Sequence, residues 1–297
     1  IQGYPGQYLD ELQLLQEIGK SNRAINDAVD IYKTATQSSL YNRWKVDRTE
    51  LKRHWNIAVF SVANQSAFYH TDAGYIAAEY LKDILVHDRN INTPNLATRQ
   101  ASFSNAFRSA RESEKQSGAK ADYFLIISIA ENERDIAVKG ELFVARTGAA
   151  AAVFNVYRAG SDRLRDAVRN ICGQIDAALP FRGVLLRRAS DQGLLDKGKL
   201  DGVKENGVYQ IIKKGGLEIE SQGIGLKFSP DDVVGTFTVG KVDEEVSAGS
   251  LGRRGIFDLV TEGDDIILQD EKTAAAGVTT SNTPADPELR AILRTLR

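Results

Sequence analysis

Few residues in this chain could carry out covalent or metal chemistry, and their spacing argues against most of it. The chain holds three histidines, His54, His70 and His87. No pair of them has the helix-face or loop spacing from which metal sites are built. A serine nucleophile would need one of them as its base, yet no serine sits in a glycine-flanked nucleophile elbow. No phosphate loop or dinucleotide fingerprint follows the first apolar strand, because Asn64-Gln65-Ser66 stands where its glycines would be. With Tyr69 and His70, that stretch forms a polar loop at a strand's carboxyl end. Open α/β sheets bind small ligands there, so these five residues are the candidate ligand loop, with a small molecule or glycan as occupant. Acidic clusters at Asp231-Asp232, Asp243-Glu244-Glu245 and Asp264-Asp265 could bind Ca²⁺ or pair two carboxylates. Two of them lie at turns and one at a strand end, and solvated turn chemistry is the expectation for all three. The one cysteine, Cys172, cannot form an internal disulfide. It lies on a helical apolar stripe with Leu164, Val168, Ile171 and Ile175, so a buried, inert thiol is expected. No catalytic residue, metal or cofactor is expected, and the chain is read as non-enzymatic.

Composition sets the outer bounds. Apolar residues make up 42% and charged residues 26% of the 297, the balance of a globular protein. A net charge of −2 gives no global basic field, which excludes nucleic acid as an expected partner. The doublets Arg187-Arg188 and Arg253-Arg254 are read as solvated surface pairs. No apolar run approaches the roughly 20 residues a membrane-spanning helix needs. The longest, Tyr123 to Ala130, has strand length. The chain opens on Ile1-Gln2-Gly3 without a basic stretch and apolar core, as expected of a processed or trimmed chain whose export signal could already be gone.

The periodicities predict an α+β multidomain chain: an N-terminal helical hairpin over 1–54, an α/β sandwich with a mixed sheet over 55–180, and a small β-barrel or β-sandwich over 181–271. In the first, Leu9 to Ile18 and Ala24 to Ala35 carry apolar stripes at helical spacing around Gly19 and Ser21-Asn22. The hairpin is expected to pack on the next domain or to cap a partner, and Trp44 is a candidate interface anchor, as are Tyr4 and Pro5. The second region opens with the doubly buried strand Ile57 to Ala63, followed by helices near 72–86 and 102–114. A strand from Tyr123 and a hairpin about Arg146-Thr147-Gly148 come next, and a helix from Ser161 stops at Pro180. After Pro180 come short strands at 184–186, 207–212, 233–242 and 266–268, separated by glycine turns.

Residues 272–297 read as a tether and a short amphipathic helix. Asp286-Pro287-Glu288 gives a cap, a first-turn proline and a first-turn acid. Leu289, Ile292, Leu293 and Leu296 then fall at i, i+3, i+4 and i+7. A helix of about 11 residues does not persist alone in water, so this face needs a groove, on its own chain or on another protein.

The middle of the chain resembles a known group. Ile57-Ala58-Val59 before a long helix, Ala119-Lys120-Ala121-Asp122-Tyr123 leading into an apolar strand, and the Arg146-Thr147-Gly148 hairpin carry the likeness. They resemble the α/β domain shared by the curli-secretion lipoprotein, the N-terminal domain of the Tol-system propeller protein and the middle domain of the flagellar T protein. Leu195 to Tyr209 resembles the opening of that flagellar protein's C-terminal β-domain, with Asn206-Gly207 where Gly-Asp is usual. The likeness covers roughly 55–270. With the helical hairpin added, the arrangement resembles periplasmic proteins of spirochaetes, including the collar of the flagellar motor. It implies a periplasmic scaffold whose partners are other envelope or flagellar proteins, or further copies of itself. It supplies no site residues.

Overall fold

The computed structural model describes residues 39–62, 72–255 and 257–268, together with Ile25. The first domain is built on a mixed sheet ordered β2-β1-β4-β5-β6, with β3 also paired to β1. Its strands are β1 (Trp55–Val62), β2 (Ile91–Asn92), β3 (Arg99–Gln100), β4 (Tyr123–Glu131), β5 (Asp135–Val144) and β6 (Ala150–Ala159). β1 and β4 pair in parallel, with Val59 opposite Leu125, and β4, β5 and β6 then run antiparallel. The apolar run of β1 is continuous because both of its faces are covered. On one face lie α2 (Ala73–Val86) and α5 (Arg163–Ala178). Ala77, Ala78 and Leu81 of α2 and Val168, Ile171 and Ile175 of α5 meet Ile57, Val59, Leu125 and Ile127 there. On the other face α3 (Phe103–Arg111) brings Ala106 and Phe107 onto Phe60 and Phe124. Ser102 caps α3 by accepting from the Asn105 N–H, and α4 (Ser113–Ser117) ends at Gly118 with φ 73°.

Pro180 ends the helical half, and the chain then closes into a six-stranded barrel in the order β12-β13-β8-β7-β14-β9. The strands are β7 (Arg182–Ala189), β8 (Gln192–Leu195), β9 (Val208–Ile212), β12 (Val233–Val242), β13 (Ser247–Arg253) and β14 (Asp265–Leu268). Leu185, Leu195, Ile211, Phe237, Val239 and Ile266 fill the interior. β8 and β13 were not predicted, since glycines interrupt the β pattern of each. Those glycines let the barrel close tightly: a Cβ at Gly249 would stand 2.1 Å from the Thr238 carbonyl oxygen, and one at Gly193 2.6 Å from Leu185 Cδ1. No helix among the described residues is long and apolar enough to cross a membrane.

Two segments tie these bodies together. The described end of the N-terminal region, with α1 at Leu40–Trp44, packs on the barrel; the helical hairpin expected from Leu9 to Ala35 lies, Ile25 apart, outside the described residues. Leu40 and Val46 enter a cluster with Leu186, Leu194 and Val246. The Leu40 N–H donates to Asp243 at 2.7 Å, Tyr41 Oη to Glu245 at 2.8 Å, and Arg187 pairs with Glu50 at 2.5 Å. In return, the barrel sends its 213–232 excursion to the α/β domain. There the two-stranded hairpin β10 (Glu218–Ile219) and β11 (Leu226–Lys227) lays Ile219, Ile224 and Leu226 on the first core. Thr147 Oγ1 donates to the Ser221 carbonyl at 2.7 Å to hold it.

Gly249→Ala is expected to destabilise the protein by about 3 kcal/mol, because the new methyl meets backbone that closure has fixed. Gly173→Ala, on the exposed side of α5 with nothing within 4 Å, should stabilise it by about 0.5–1 kcal/mol. Urea unfolding of the two variants distinguishes these outcomes.

Candidate functional site

The polar residues that converge in space lie in the seam between the α/β domain and the barrel. His54 directly precedes β1, where its N–H donates to the Asn90 carbonyl at 2.9 Å. Its Nε2 lies 2.6 Å from Asp196 Oδ2, with the two side chains 4% and 0% exposed. Asp196 follows β8, and its other oxygen accepts the Val184 N–H at 2.7 Å. Arg182 opens β7 just beyond Pro180. Its Nε and Nη2 donate to Asp265 Oδ1 at 3.2 and 3.1 Å, and its Nη1 to the His54 carbonyl at 3.4 Å. The same guanidinium lies over Trp55, 6.0 Å from the ring centre. Lys197, 4% exposed, donates to Asn90 Oδ1 and lies 3.5 Å from Asp201. These buried polar groups are matched one against another, the condition under which such groups can be kept from water.

Above the pairs opens a cleft of about 210 Å³ lined by Trp55, Asn90, Asp176, Phe181, Lys197 and Asp201. Burial, then the nearby Asp88 carboxylate, pushes the Asp176 carboxyl above its ordinary range, while an Asn90 hydrogen bond opposes the rise. Asp122, beside the seam, is also pushed up by burial, although the Asn56 N–H donates to it at 2.8 Å. Cys172 is half-buried on α5, and its thiol is pushed up to about 12 by burial and by Asp88.

Few of the sequence-derived candidates enter this site. Asn64, Gln65, Ser66, Tyr69 and His70 lie outside the described residues, as do Leu289, Ile292, Leu293 and Leu296. Trp44 packs half-buried on the Leu186 and Leu194 cluster, its indole N–H without an acceptor among the described residues. Asp264 and Asp265 are 0% and 6% exposed, which corrects their expected role as solvated turn residues. Asp264 accepts the N–H groups of Lys214 and Thr261 at 2.9 and 2.7 Å and thereby ties two turns together. The arginine doublets are likewise engaged. Arg188 and Arg253 both grip Asp258, the latter at 3.2 Å. Held on that side, Asp258 turns its neighbours Phe257 and Leu259 to solvent, 75% and 59% exposed. A second apolar display lies on β6, where Val153 and Tyr157 are 51% and 61% exposed. The convergence of His54, Arg182, Asp196 and Asp265 escaped the sequence reading, which named His54 and Asp265 only separately, because no local spacing relates them.

The described chain is thus a mixed α/β sheet domain clasped to a closed six-stranded barrel. Residues 54–177 match the family TPASS_0648_2nd, described as a second domain. No curated protein matches the chain. Among solved structures, the PelC dodecamer from Paraburkholderia phytofirmans is similar over 40% of this chain and 84% of its own, with 21% identity and a TM-score of 0.30. The LpoB C-terminal domain from Salmonella enterica is similar over 36% of this chain and 84% of its own, with 14% identity and a TM-score of 0.27. TolB from Acinetobacter baumannii is similar over 64% of this chain and 44% of its own, with 12% identity and a TM-score of 0.30.

Removing one partner of the buried pair by Asp196→Ala is expected to cost about 3 kcal/mol in denaturant unfolding, with Asp196→Asn, which keeps an acceptor for Val184, costing less. With its pKa raised, the Cys172 thiol should alkylate at pH 8 roughly 10³-fold more slowly than a free thiol. The rate should climb about tenfold per pH unit while the fold holds, and reach the free value once the chain is unfolded in guanidinium. Fast native labelling at pH 8 would contradict the half-buried placement on α5.

Proposed function

We propose that this chain is a non-enzymatic adaptor of a bacterial envelope assembly, working in the periplasm through protein contacts. The observation that carries the reading is the seam. His54 with Asp196, Arg182 with Asp265 and the His54 carbonyl, and Lys197 with Asn90 are bonded across two domains, so their chemistry goes into fixing an orientation. On the unit they fix, the Phe257–Leu259 loop and the β6 face stand as separate apolar surfaces. An adaptor needs that arrangement, since partners gripped by two surfaces are held at a set spacing only if the body between them does not bend. The likeness of residues 55–270 to envelope domains of the curli, Tol and flagellar systems supports the location, and the flagellar motor is the assembly it favours.

A photo-crosslinking residue at position 257 in cells, followed by mass spectrometry of the adducts, tests this. Adducts with envelope proteins are expected, and flagellar-motor proteins among them would identify the assembly. Absence of any protein adduct from position 257 would overturn the adaptor reading.

The cleft beside Asp176 favours a second reading, a periplasmic sensor of a small ligand or glycan. It offers the aromatic walls of Trp55 and Phe181 with the polar groups of Asn90, Lys197 and Asp201. Stabilisation by sugars or peptidoglycan fragments in a thermal-shift screen, abolished by Asp176→Ala, would favour the sensor. No shift with any of them would remove it.

A further inference from the structure

The edge of the α/β sheet at β6 carries its own pairing code. β6 is the outermost strand on its side of the sheet. The Gly160 N–H donates to the Arg134 carbonyl at 3.4 Å, on the same register that sets Asp135 opposite Ala159. Antiparallel ladders alternate, so Arg158, Val156 and Phe154 direct their backbone groups to β5. The N–H and C=O groups of Val153, Asn155 and Tyr157 therefore point to the open edge. Gly223 closes the edge at its start, through the Ala150 carbonyl at 3.4 Å, and the Arg158 guanidinium folds back onto the Tyr157 carbonyl at 2.8 Å, but among the described residues no strand meets the edge from Val153 onward.

Long edge strands are ordinarily guarded by lysine, proline or a central bulge. This one carries a single charge, Arg158, and its one register shift falls near the first residues, opposite Leu142 and Phe143. The side chains that share the outward-bonding positions are Val153 and Tyr157, more than half exposed, with Asn155 between them, also exposed.

We infer that β6 pairs antiparallel with β6 of a second copy of this chain, about a two-fold axis at Asn155. In that register Val153 faces the partner copy's Tyr157, Asn155 faces its equivalent, and Tyr157 faces Val153. Each of these three pairs exchanges both of its N–H···O bonds, because these are the residues whose backbone groups already point outward; at Tyr157 the partner's N–H replaces the Arg158 guanidinium on the carbonyl. The exposed side chains form two cross-strand aromatic–β-branched pairs, a favourable combination. Phe154 and Val156 stay on the helix-covered side in both copies, so the sheet continues with its faces matched, which a shift of one residue would destroy. Arg158 falls opposite Ala152, so no like charges meet along the seam. The edge is thus self-complementary, as a two-fold interface requires, and this points to a second copy over an unrelated strand. The pairing does not depend on the adaptor reading, because it is measured on the purified chain alone.

The test is sedimentation equilibrium of the full chain, with Asn155→Cys as a geometric probe. A dimer is expected, and Tyr157→Lys should weaken it about tenfold or more by placing a charge on the edge. Circular dichroism and melting of that variant establish that it still folds. Directly opposed, hydrogen-bonded residues bring their Cα atoms to about 5.5 Å, within disulfide reach. Asn155→Cys should therefore give a disulfide-linked dimer on mild oxidation, and Glu141→Cys, one strand inward on β5, should not. A monomer at all concentrations overturns the inference. So does a dimer that ignores Tyr157→Lys and yields no Asn155→Cys crosslink.

Discussion

The buried His54–Asp196 contact is the constraint on which the arrangement of this molecule depends. It joins the residue that launches β1 to the residue that ends β8, with both side chains almost wholly removed from water. Buried polar pairs of this kind seldom add much net stability compared with an apolar substitute, because desolvation offsets the attraction. What they do is penalise every other geometry: a small rotation of the barrel would leave a carboxylate and an imidazole buried without partners. Arg182 extends the same logic by bonding Asp265 of the barrel and the His54 carbonyl of the α/β domain at once. Orientation between the domains is therefore specified electrostatically, and the apolar contacts around it supply area.

The acidic residues show how one residue type serves different ends here. Asp264, Asp265 and Asp196 are spent inside on backbone N–H groups or a cation. Asp258 is held below its ordinary range by the Arg188 guanidinium, and it positions a loop from the surface. Asp176, in the cleft, is lifted by burial and by like charge. The chain's near-neutral total charge conceals this division, since paired charges cancel in the sum.

Much of the fold could be read from the sequence, and the reasons are local. β1 and β4 announce themselves as apolar runs because both faces are covered, and α2 and α5 because each buries one stripe. The barrel was legible as a class from its short strands and glycine turns, but β13 was hidden by Gly249 and Gly252, residues that closure demands and β propensity disfavours. β10 and β11, two residues each, are too short to leave a period. The seam was illegible for another reason. His54, Arg182, Asp196 and Asp265 come from four places in the chain, and each has an ordinary neighbourhood. Only Arg182, a cation two residues after a helix-ending proline, stands where a domain junction could have been suspected. The resemblance to envelope domains carried the architecture and no residues.

The 213–232 excursion bears on how the chain folds. The helices and strands of the α/β domain are complete once α5 ends at Ala178, yet Ile219, Ile224 and Leu226 still cover part of its core. Those three residues stand some forty positions further along the chain, inside the barrel's own sequence. Until they dock, the sheet end near Tyr123 and Ala150 is topologically finished but not sealed. The first domain therefore cannot reach its full stability before the second has begun to form, and the two fold as a coupled pair.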